Sequence, residues 1–340
     1  MVATSPSRLK PSPGRHDDSP GRGSRWNRYL APVQRALAVT VLALLASACG
    51  AEETEQSSGG GEICTANLNQ AIGAEPELRG ATWSPDGRRI AFSASDGRNS
   101  SIYAVSVADC ALERLGPSAN LNVGSPDWSS TNVLAFDATV AGGSEGGVYR
   151  MAADGSHVRR ITNGPDLFPE WSPDGERIAF VRGGYAEAAE GDPPPKYANR
   201  NVWVVRSDGS DARQVTDGRW HGSAGWSSDG ERLVTDTEPG VLELGVDGRG
   251  GLVLLLEGEY GDPSWSPDGN DLLVVAGYEL GVADEGQPPI EPVDTPAPNS
   301  PEWSPDGSWI AFVDGENEHD LWIVRPDGTG LRQLTTVRTS

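Results

Sequence analysis

The sequence predicts an all-β fold, a six-bladed β-propeller of four-stranded antiparallel blades, preceded by a disordered leader and a tether. The first observation is a repeated phrase, Trp-Ser-x-Asp-Gly, followed by a short apolar run. The second is its period, because successive copies lie from 38 residues (Trp265 to Trp303) to 55 residues (Trp171 to Trp226) apart. A period of about 40 residues with β-type runs inside each unit is typical of a propeller or a solenoid. The copies begin at Trp83, Trp128, Trp171, Trp226, Trp265 and Trp303, and the second is degenerate.

One repeat divides into four short strands. In the third copy, Pro169–Trp171 and Arg177–Val181 are the first two, and Ser172–Gly175 turns between them because Pro presets φ and Gly accepts a positive φ. Asn201–Val205 and Ala212–Thr216 supply the third and fourth. Four antiparallel strands joined by hairpins make one propeller blade.

The other copies repeat this order. Their second and third strands are the apolar runs Ile90–Phe92 and Ile102–Val105, Val133–Phe136 and Val148–Met151, Arg232–Val234 and Val241–Leu244, Asp271–Val275 in the fifth copy, and Trp309–Phe312 and Leu321–Val324. The fifth copy then continues into Gln287–Val293, which is rich in proline, so we expect its outer strand to be poor.

The repeated tryptophan and aspartate have structural explanations. A large ring present once per blade is expected to fill the wedge between neighbouring blades rather than to form a binding platform. The Asp of each turn is expected to cap its own turn. Most of the acidic residues in these turns therefore do not indicate catalysis.

The repeat unit, Trp-Ser-Pro-Asp-Gly-x-x-Ile-Ala-Phe followed by a strand closing on Asp-Gly and by Leu-Thr or Ile-Thr, resembles the WD40-like PD40 repeat. That repeat builds the six-bladed C-terminal domain of TolB, a periplasmic protein of the Tol-Pal system. It also occurs in prolyl-oligopeptidase-type peptidases and in bacterial lipoproteins. The resemblance covers about residues 76–336. It implies the fold and no particular activity, because propellers host many unrelated sites.

The front of the chain has the features of an export signal. A basic stretch precedes Ala36–Ala48, an apolar segment too short to span a bilayer and typical of a secretory signal. Its end, Leu45–Cys49, resembles a bacterial lipobox, which implies lipidation at Cys49 and an extracytoplasmic protein held on the membrane by this anchor. Ordinary cleavage after Ala48, or a chance apolar run, is the alternative. We expect three regions: residues 1–48 as the leader with a lipoprotein signal peptide, 49–75 as the tether and N-terminal segment, and 76–340 as the propeller.

The chain has three cysteines. If Cys49 carries lipid, Cys64 and Cys110 remain as an even pair in an exported protein, which predicts a disulfide. Cys110 stands where later repeats have the Gly of an Asp-Gly turn, as in Asp154–Gly155, so it should lie at a blade edge. A free buried pair of thiols is the alternative.

The formal net charge is −22. This acidity argues against a nucleic-acid partner and against direct docking on anionic lipid. A basic partner or bound divalent cations remain open, beside the simpler explanation that the charge keeps an exported protein soluble.

No motif predicts catalysis, a metal site or a cofactor. Gly142–Gly146 matches Gly-x-Ser-x-Gly, but it falls in a hairpin of blade 2, and the nucleophile elbow needs a turn from strand to helix. The histidines show no metal-ligand spacing, and no Cys-x2-Cys exists.

The candidate site is therefore a surface. In a four-stranded blade the second-to-third loops and the crossovers between blades share one rim, and the long loops, including the insertion 183–200, all fall there. Aromatic and polar residues on loops at one mouth of a rigid ring are typical of a binding surface, although they are also ordinary loop residues. The candidate binding residues are Phe168, Tyr185, Tyr197, Trp220, His221 and Tyr260.

These features predict a monomeric, membrane-anchored, non-catalytic module that binds or scaffolds an envelope protein, a peptide or an envelope polymer. The alternative is a propeller enzyme, of glycan lyase or hydrolase type, acting at the central mouth. Convergent carboxylates and histidines at that mouth would favour the enzyme, and a broad aromatic surface would favour the binding module.

Overall fold

The structure is a computed structural model that describes residues 65–72, 76–97, 99–117, 120–141, 146–183, 200–217, 220–249, 251–284, 290–315 and 320–336. The chain divides into two compact units, 1–59 and 60–340, and every described residue lies in the second.

Six four-stranded antiparallel sheets follow one another along the chain, and in each the strands lie in sequence order, every strand bonded to the next. This confirms the predicted six-bladed propeller.

Strand β1 (Ala66–Asn67) and helix α1 (Leu68–Ile72) precede the blades. Blade 1 is β2 (Glu77–Trp83), β3 (Arg89–Ser95), β4 (Ser100–Ser106) and β5 (Leu112–Gly116); blade 2 is β6 (Leu121–Trp128), β7 (Val133–Val140), β8 (Gly146–Ala152) and β9 (Arg159–Arg160); blade 3 is β10 (Asp166–Trp171), β11 (Arg177–Arg182), β12 (Asn201–Arg206) and β13 (Arg213–Gln214). Blade 4 is β14 (Gly225–Trp226), β15 (Arg232–Thr237), β16 (Gly240–Gly245) and β17 (Leu252–Glu257); blade 5 is β18 (Gly261–Trp265), β19 (Asp271–Ala276), β20 (Glu279–Asp284) and β21 (Ile290–Val293); blade 6 is β22 (Pro298–Trp303), β23 (Ile310–Asp314), β24 (Leu321–Val324) and β25 (Arg332–Gln333), after which comes β26 (Thr335–Thr336).

Blade 5 has a better outer strand than its sequence suggests. β21 pairs with β20 from Leu280↔Val293 to Ala283↔Ile290, whereas the outer strands β9, β13 and β25 have only two residues each. The expectation of a poor strand was wrong because an outer strand hydrogen-bonds along one edge only. Proline, which lacks an N–H, is tolerated on the open edge.

The tight turns after each tryptophan hold themselves together. In blade 6 the Ser304 hydroxyl donates to Asp306 Oδ1 (2.7 Å) and accepts from the backbone N–H of Trp309 (2.9 Å). Asp306 also accepts from the backbone N–H of Ser308 (3.0 Å). The hydrogen bond from Ser304 is the main reason that the pKa of Asp306 lies below its usual value. These aspartates therefore cap their own turns, as the sequence predicts.

The tryptophans fill the seams between blades. Trp83, Trp171 and Trp226 are 3%, 7% and 8% exposed, and each belongs to a cluster of buried apolar residues. Several of the indoles also donate to the preceding blade: Trp226 Nε1 to the carbonyl of Glu170 (2.9 Å) and Trp303 Nε1 to the carbonyl of Ser264 (3.3 Å). The packing interpretation of the repeated ring is therefore correct.

The ring closes between blades 6 and 1. Trp83 Nε1 donates to the carbonyl of Glu302 (3.3 Å), which continues the seam pattern across the junction. The residues just before the first blade cover this seam: β1 pairs in parallel with β26, and Leu68 is fully buried in a cluster shared by blades 1 and 6. Sequence reasoning missed this closure because β1 is only two residues long.

Candidate functional site in the central channel

The first strand of each blade lines the centre of the ring, and in five of the six blades its pairing with the second strand is interrupted by a bulge just before the tryptophan. A bulge bends the strand and re-aims its side chains. The residue three positions before the tryptophan has a left-handed backbone in four blades, with φ of 63° at Gly80, 52° at Phe168, 48° at Asp262 and 49° at Ser300. Three of these are not glycine, and strained backbone of this kind is concentrated at functional sites.

The inner strands enclose a cavity of about 380 Å³ that extends from these bulged residues to the Ser-Pro turns. Four acidic side chains line it: Asp127, Glu170 and Glu302, each directly before a tryptophan, and Asp262, three positions before one. No Lys or Arg is found among the lining residues in the described part of the chain. The cavity is thus a channel with acidic walls.

In blades 1, 2 and 6, hydrogen bonds connect the side chain of the residue before the tryptophan to the next blade. Asp127 accepts from the backbone N–H of Trp171, and Thr82 accepts from that of Trp128 (2.9 Å). The Thr82 hydroxyl also lies 3.2 Å from both Asp127 Oδ1 and Glu302 Oε1, so its single proton serves one carboxylate at a time. This series of hydrogen bonds from blade to blade ends in blade 3, because no hydrogen bond from the described residues reaches the Glu170 carboxylate.

The carboxyl groups resist ionisation. Burial raises the pKa of Asp127 to about 6. Burial, and then the charge of Asp127, raise the pKa of Glu302 well above its usual value, and burial followed by the charges of Asp127, Glu302 and Asp262 does the same at Glu170. Like charges around one narrow space, with no cation among them, cannot all be ionised together. Burial and mutual repulsion therefore both oppose full ionisation of the channel wall.

A further acid, Asp236, lies close to Asp262 of the channel wall. Burial raises the pKa of Asp262, and burial together with the charge of Asp262 raises the pKa of Asp236 to about 6. Asp236 accepts from the backbone N–H of Ser223 (2.7 Å), and Asp262 accepts from that of Ser300 (3.3 Å). Asp262 thus holds the bulged backbone of blade 6, Asp236 holds the backbone that precedes Trp226 in blade 4, and both extend the acidic potential of the channel.

An arginine contacts two of the predicted aromatic residues, Phe168 and Trp220. Arg200 is only 4% exposed. Its guanidinium carbon lies 5.5 Å from the centre of the Phe168 ring and 5.7 Å from the centre of the Trp220 ring. These are cation–π distances. The backbone N–H of His221 donates to the carbonyl of Arg200 (3.2 Å). Sequence reasoning missed Arg200, although an arginine directly before a β-rich strand at the end of a long insertion is a visible signal.

The predicted binding residues lie in different environments. Phe168 lines the channel and Trp220 is half-buried beside Arg200. His221 is 1% exposed and its Nδ1 lies 3.2 Å from the Thr235 hydroxyl, so its imidazole is packed inside. Tyr260 packs against the apolar cluster between blades 4 and 5. Two further candidates, Tyr185 and Tyr197, and the lipidation candidate Cys49 lie outside the described residues.

Cys110 is disulfide-bonded and 7% exposed. Its φ of 53° is left-handed, like the 79° of Gly155 in the corresponding turn of blade 2. Its predicted partner, Cys64, lies outside the described residues, so the Cys64–Cys110 pairing stays a prediction.

Among the described residues, no group of three or more His, Cys, Asp or Glu side chains could hold a metal ion. No helix in that part of the chain is long and apolar enough to cross a membrane.

The closed ring and its acid-lined channel define the class of this protein: a six-bladed β-propeller with a central channel. A family model described as the TolB beta propeller domain matches residues 62–267. The chain belongs to this family, which confirms the resemblance seen in its repeats.

Two relatives share part of the sequence. The "Protein TolB homolog" of Chlorobium luteolum is 30% identical over 127 residues, which are 36% of this chain and 26% of that protein. The "Tol-Pal system protein TolB" of Anaeromyxobacter dehalogenans is 35% identical over 98 residues, 28% of this chain and 21% of that protein. The match therefore spans about a quarter or less of these relatives' own length.

Solved structures share the fold. TolB from Acinetobacter baumannii superposes with a TM-score of 0.58 at 14% identity, covering 78% of this chain and 66% of that one. An oligogalacturonate lyase in complex with manganese superposes with a TM-score of 0.52 at 12% identity, covering 77% and 79%. Because one of these is an enzyme, the fold alone does not separate binding from catalysis.

Proposed function

We propose that this chain is an extracytoplasmic binding module whose central channel receives a positively charged group of a protein or peptide partner. The observation that carries the proposal is the channel wall, where Asp127, Glu170 and Glu302 meet with no Lys or Arg among the described lining residues. A cation that enters favours the ionised carboxylates, lowers their pKa and releases their protons. Binding should therefore strengthen as the pH rises through about 6, the pKa of Asp127.

The mouth supplies contact area beside this charge. Phe168 is held in a left-handed bulge and stacked on Arg200, so its ring is positioned before a partner arrives. Preorganised aromatic side chains supply large contact area at low entropic cost. A partner with a basic residue next to an apolar or aromatic one fits both features.

The membrane anchor is a separate part of the proposal. It is supported by the apolar segment Ala36–Ala48 and the lipobox-like end at Cys49. Mass spectrometry of the membrane fraction should find a mature chain that begins at a lipidated Cys49. An unmodified N-terminus at another residue would contradict the anchor without affecting the channel.

Partner recovery from envelope extracts tests the channel. The double variant Glu170→Gln/Glu302→Gln removes two channel charges at nearly constant volume. The control Glu176→Gln/Glu231→Gln removes two exposed charges beside the tight turns. We expect the channel variant to lower recovery at pH 7.5 by at least about tenfold, because charged hydrogen-bonding partners contribute about 1.5–3 kcal/mol each. Equal recovery by the two variants would refute the proposed channel site.

One observation favours an enzyme as the second candidate. Acidic groups with raised pKa that converge in a cavity are typical of acid–base catalysis, and Asp127, Glu170 and Glu302 have this arrangement. Turnover of envelope glycans by the wild type, abolished in Asp127→Asn, would favour this function. Binding without turnover would favour the module.

A further inference from the structure

The acids of the channel wall differ in their hydrogen bonds. Both oxygens of Asp127 face a donor: Oδ1 lies 3.2 Å from the Thr82 hydroxyl, and Oδ2 accepts from the backbone N–H of Trp171. Oε1 of Glu302 lies 3.2 Å from the same hydroxyl. Neither oxygen of Glu170 accepts a hydrogen bond from a described residue. Polar groups that are sheltered from water are nearly always hydrogen-bonded, so the unbonded carboxylate of Glu170 needs an explanation.

The repeat shows which bond Glu170 lacks. In blades 1, 2 and 6 the side chain before the tryptophan accepts from the backbone N–H of the tryptophan in the next blade, as Thr82 does from Trp128 (2.9 Å). By this pattern the Glu170 carboxylate would accept from the backbone N–H of Trp226, but only the Glu170 carbonyl joins that seam, by accepting from Trp226 Nε1 (2.9 Å). The corresponding residue of blade 4 is Gly225, which has no side chain to offer. The seam between blades 3 and 4 therefore closes without the Glu170 carboxylate, which lines the channel.

The position of Glu170 also gathers the charge of the channel. Burial is the main reason that the pKa of Glu170 lies well above its usual value, and the charges of three other acids raise it further. These acids are Asp127, Glu302 and Asp262. A cation at Glu170 is thus attracted by each of these groups that is ionised, and it offsets the like-charge repulsion among them.

We propose that Glu170 is the residue that contacts the cationic group of the partner, and that Asp127 and Glu302, whose bonds join neighbouring blades, attract this group only from a distance. The inference rests on the proposed function and assigns the contact within that site. Both oxygens of the Glu170 carboxylate are unoccupied, which matches the two parallel N–H donors of a guanidinium. The expected ligand group is therefore an Arg side chain of the protein or peptide partner.

Titration of a defined probe into the purified full-length chain at pH 7.5 tests the assignment. The probe is N-acetyl-phenylalanyl-arginine amide, and its uncharged counterpart carries citrulline in place of arginine. Glu170→Gln should lower the affinity for the arginine probe by at least about tenfold, to the level of the citrulline probe, because a charged hydrogen-bonding partner is lost. Glu302→Gln makes the same substitution directly before a tryptophan in blade 6. It should lower the affinity by less than about threefold, because its charge acts only from a distance.

Thermal unfolding separates a lost contact from a damaged fold. Glu170→Gln breaks no hydrogen bond to a described residue and removes like-charge repulsion, so its Tm should be no lower than that of the wild type. The control Glu176→Gln, at an exposed turn residue, should match the wild type in both affinity and Tm.

The outcomes distinguish this inference from the proposed function. Equal losses of affinity in Glu170→Gln and Glu302→Gln, or a loss in Glu170→Gln that comes only with a lower Tm, would overturn the assignment of Glu170 and leave the channel site standing. A wild type that binds the arginine and citrulline probes equally would contradict the proposed cation site itself, and the assignment with it.

Discussion

The acidic channel should make this propeller less stable at neutral pH than at mildly acidic pH, and Asp127→Asn should reduce that dependence. The pKa of Asp127 rises from 3.8 to about 6 on folding because the carboxyl is buried. The folded chain thus holds this proton more tightly than the unfolded chain does. The stabilisation from it is fully present below pH 3.8 and is lost as the pH rises through about 6.

The size of the effect follows from the two pKa values. A carboxyl that titrates at 3.8 in the unfolded chain and at about 6 in the folded one loses about 1 kcal/mol of stabilisation between pH 5 and pH 7.5. For a domain of this size the loss corresponds to a fall in Tm of about 2–4 °C. The turn aspartates have lowered pKa values, so their titration changes the stability only at pH values below their usual range. They do not contribute between pH 5 and pH 7.5.

Denaturant unfolding at pH 5, 6 and 7.5 measures this dependence. The wild type should lose stability over the interval, and Asp127→Asn should lose about 1 kcal/mol less. The control Asp217→Asn changes an exposed carboxyl and should keep the wild-type dependence. The reasoning is refuted if the wild type is more stable at pH 7.5 than at pH 5, or if Asp127→Asn follows the same pH dependence as the wild type.

Two further predictions concern the seams and the disulfide. Trp226→Phe removes an indole N–H that donates to the carbonyl of Glu170, whereas the buried Nε1 of Trp171 has no partner among the described residues. Trp226→Phe should therefore lower the free energy of unfolding by about 1 kcal/mol more than Trp171→Phe, and equal losses in chemical denaturation would contradict the seam bonds. Thiol quantification under denaturing, non-reducing conditions should find Cys64 and Cys110 unreactive, and two reactive thiols would disprove their pairing.

Much of the fold was predictable because each blade is a local structure. The turn after Trp303 is held by side chains within five residues of one another, and the strands that flank it are neighbours in sequence. Such features depend on residues that are close together in the chain, so they can be predicted from the sequence. The outer strand of blade 5 was misjudged because the open edge that tolerates proline is a property of the assembled sheet.

The candidate site was predictable only in part. Phe168 and Trp220 were found because aromatic residues on long loops are visible in the sequence, but Arg200, which joins them, was not. His221 was chosen by the same reasoning, and its burial against Thr235 depends on contacts that sequence position does not reveal.

The sequence by itself determined the number of blades, the tight turns and the positions of the packing tryptophans, since these depend on residues close together in the chain. Only the tertiary structure decided that Asp127, Glu170 and Glu302 share one space. These acids stand in three different blades, each directly before a tryptophan, and they look like ordinary surface carboxylates until the ring closes. Closure buries the three carboxyls and brings their charges together; burial raises the pKa of Asp127, and burial followed by repulsion raises the pKa values of Glu170 and Glu302.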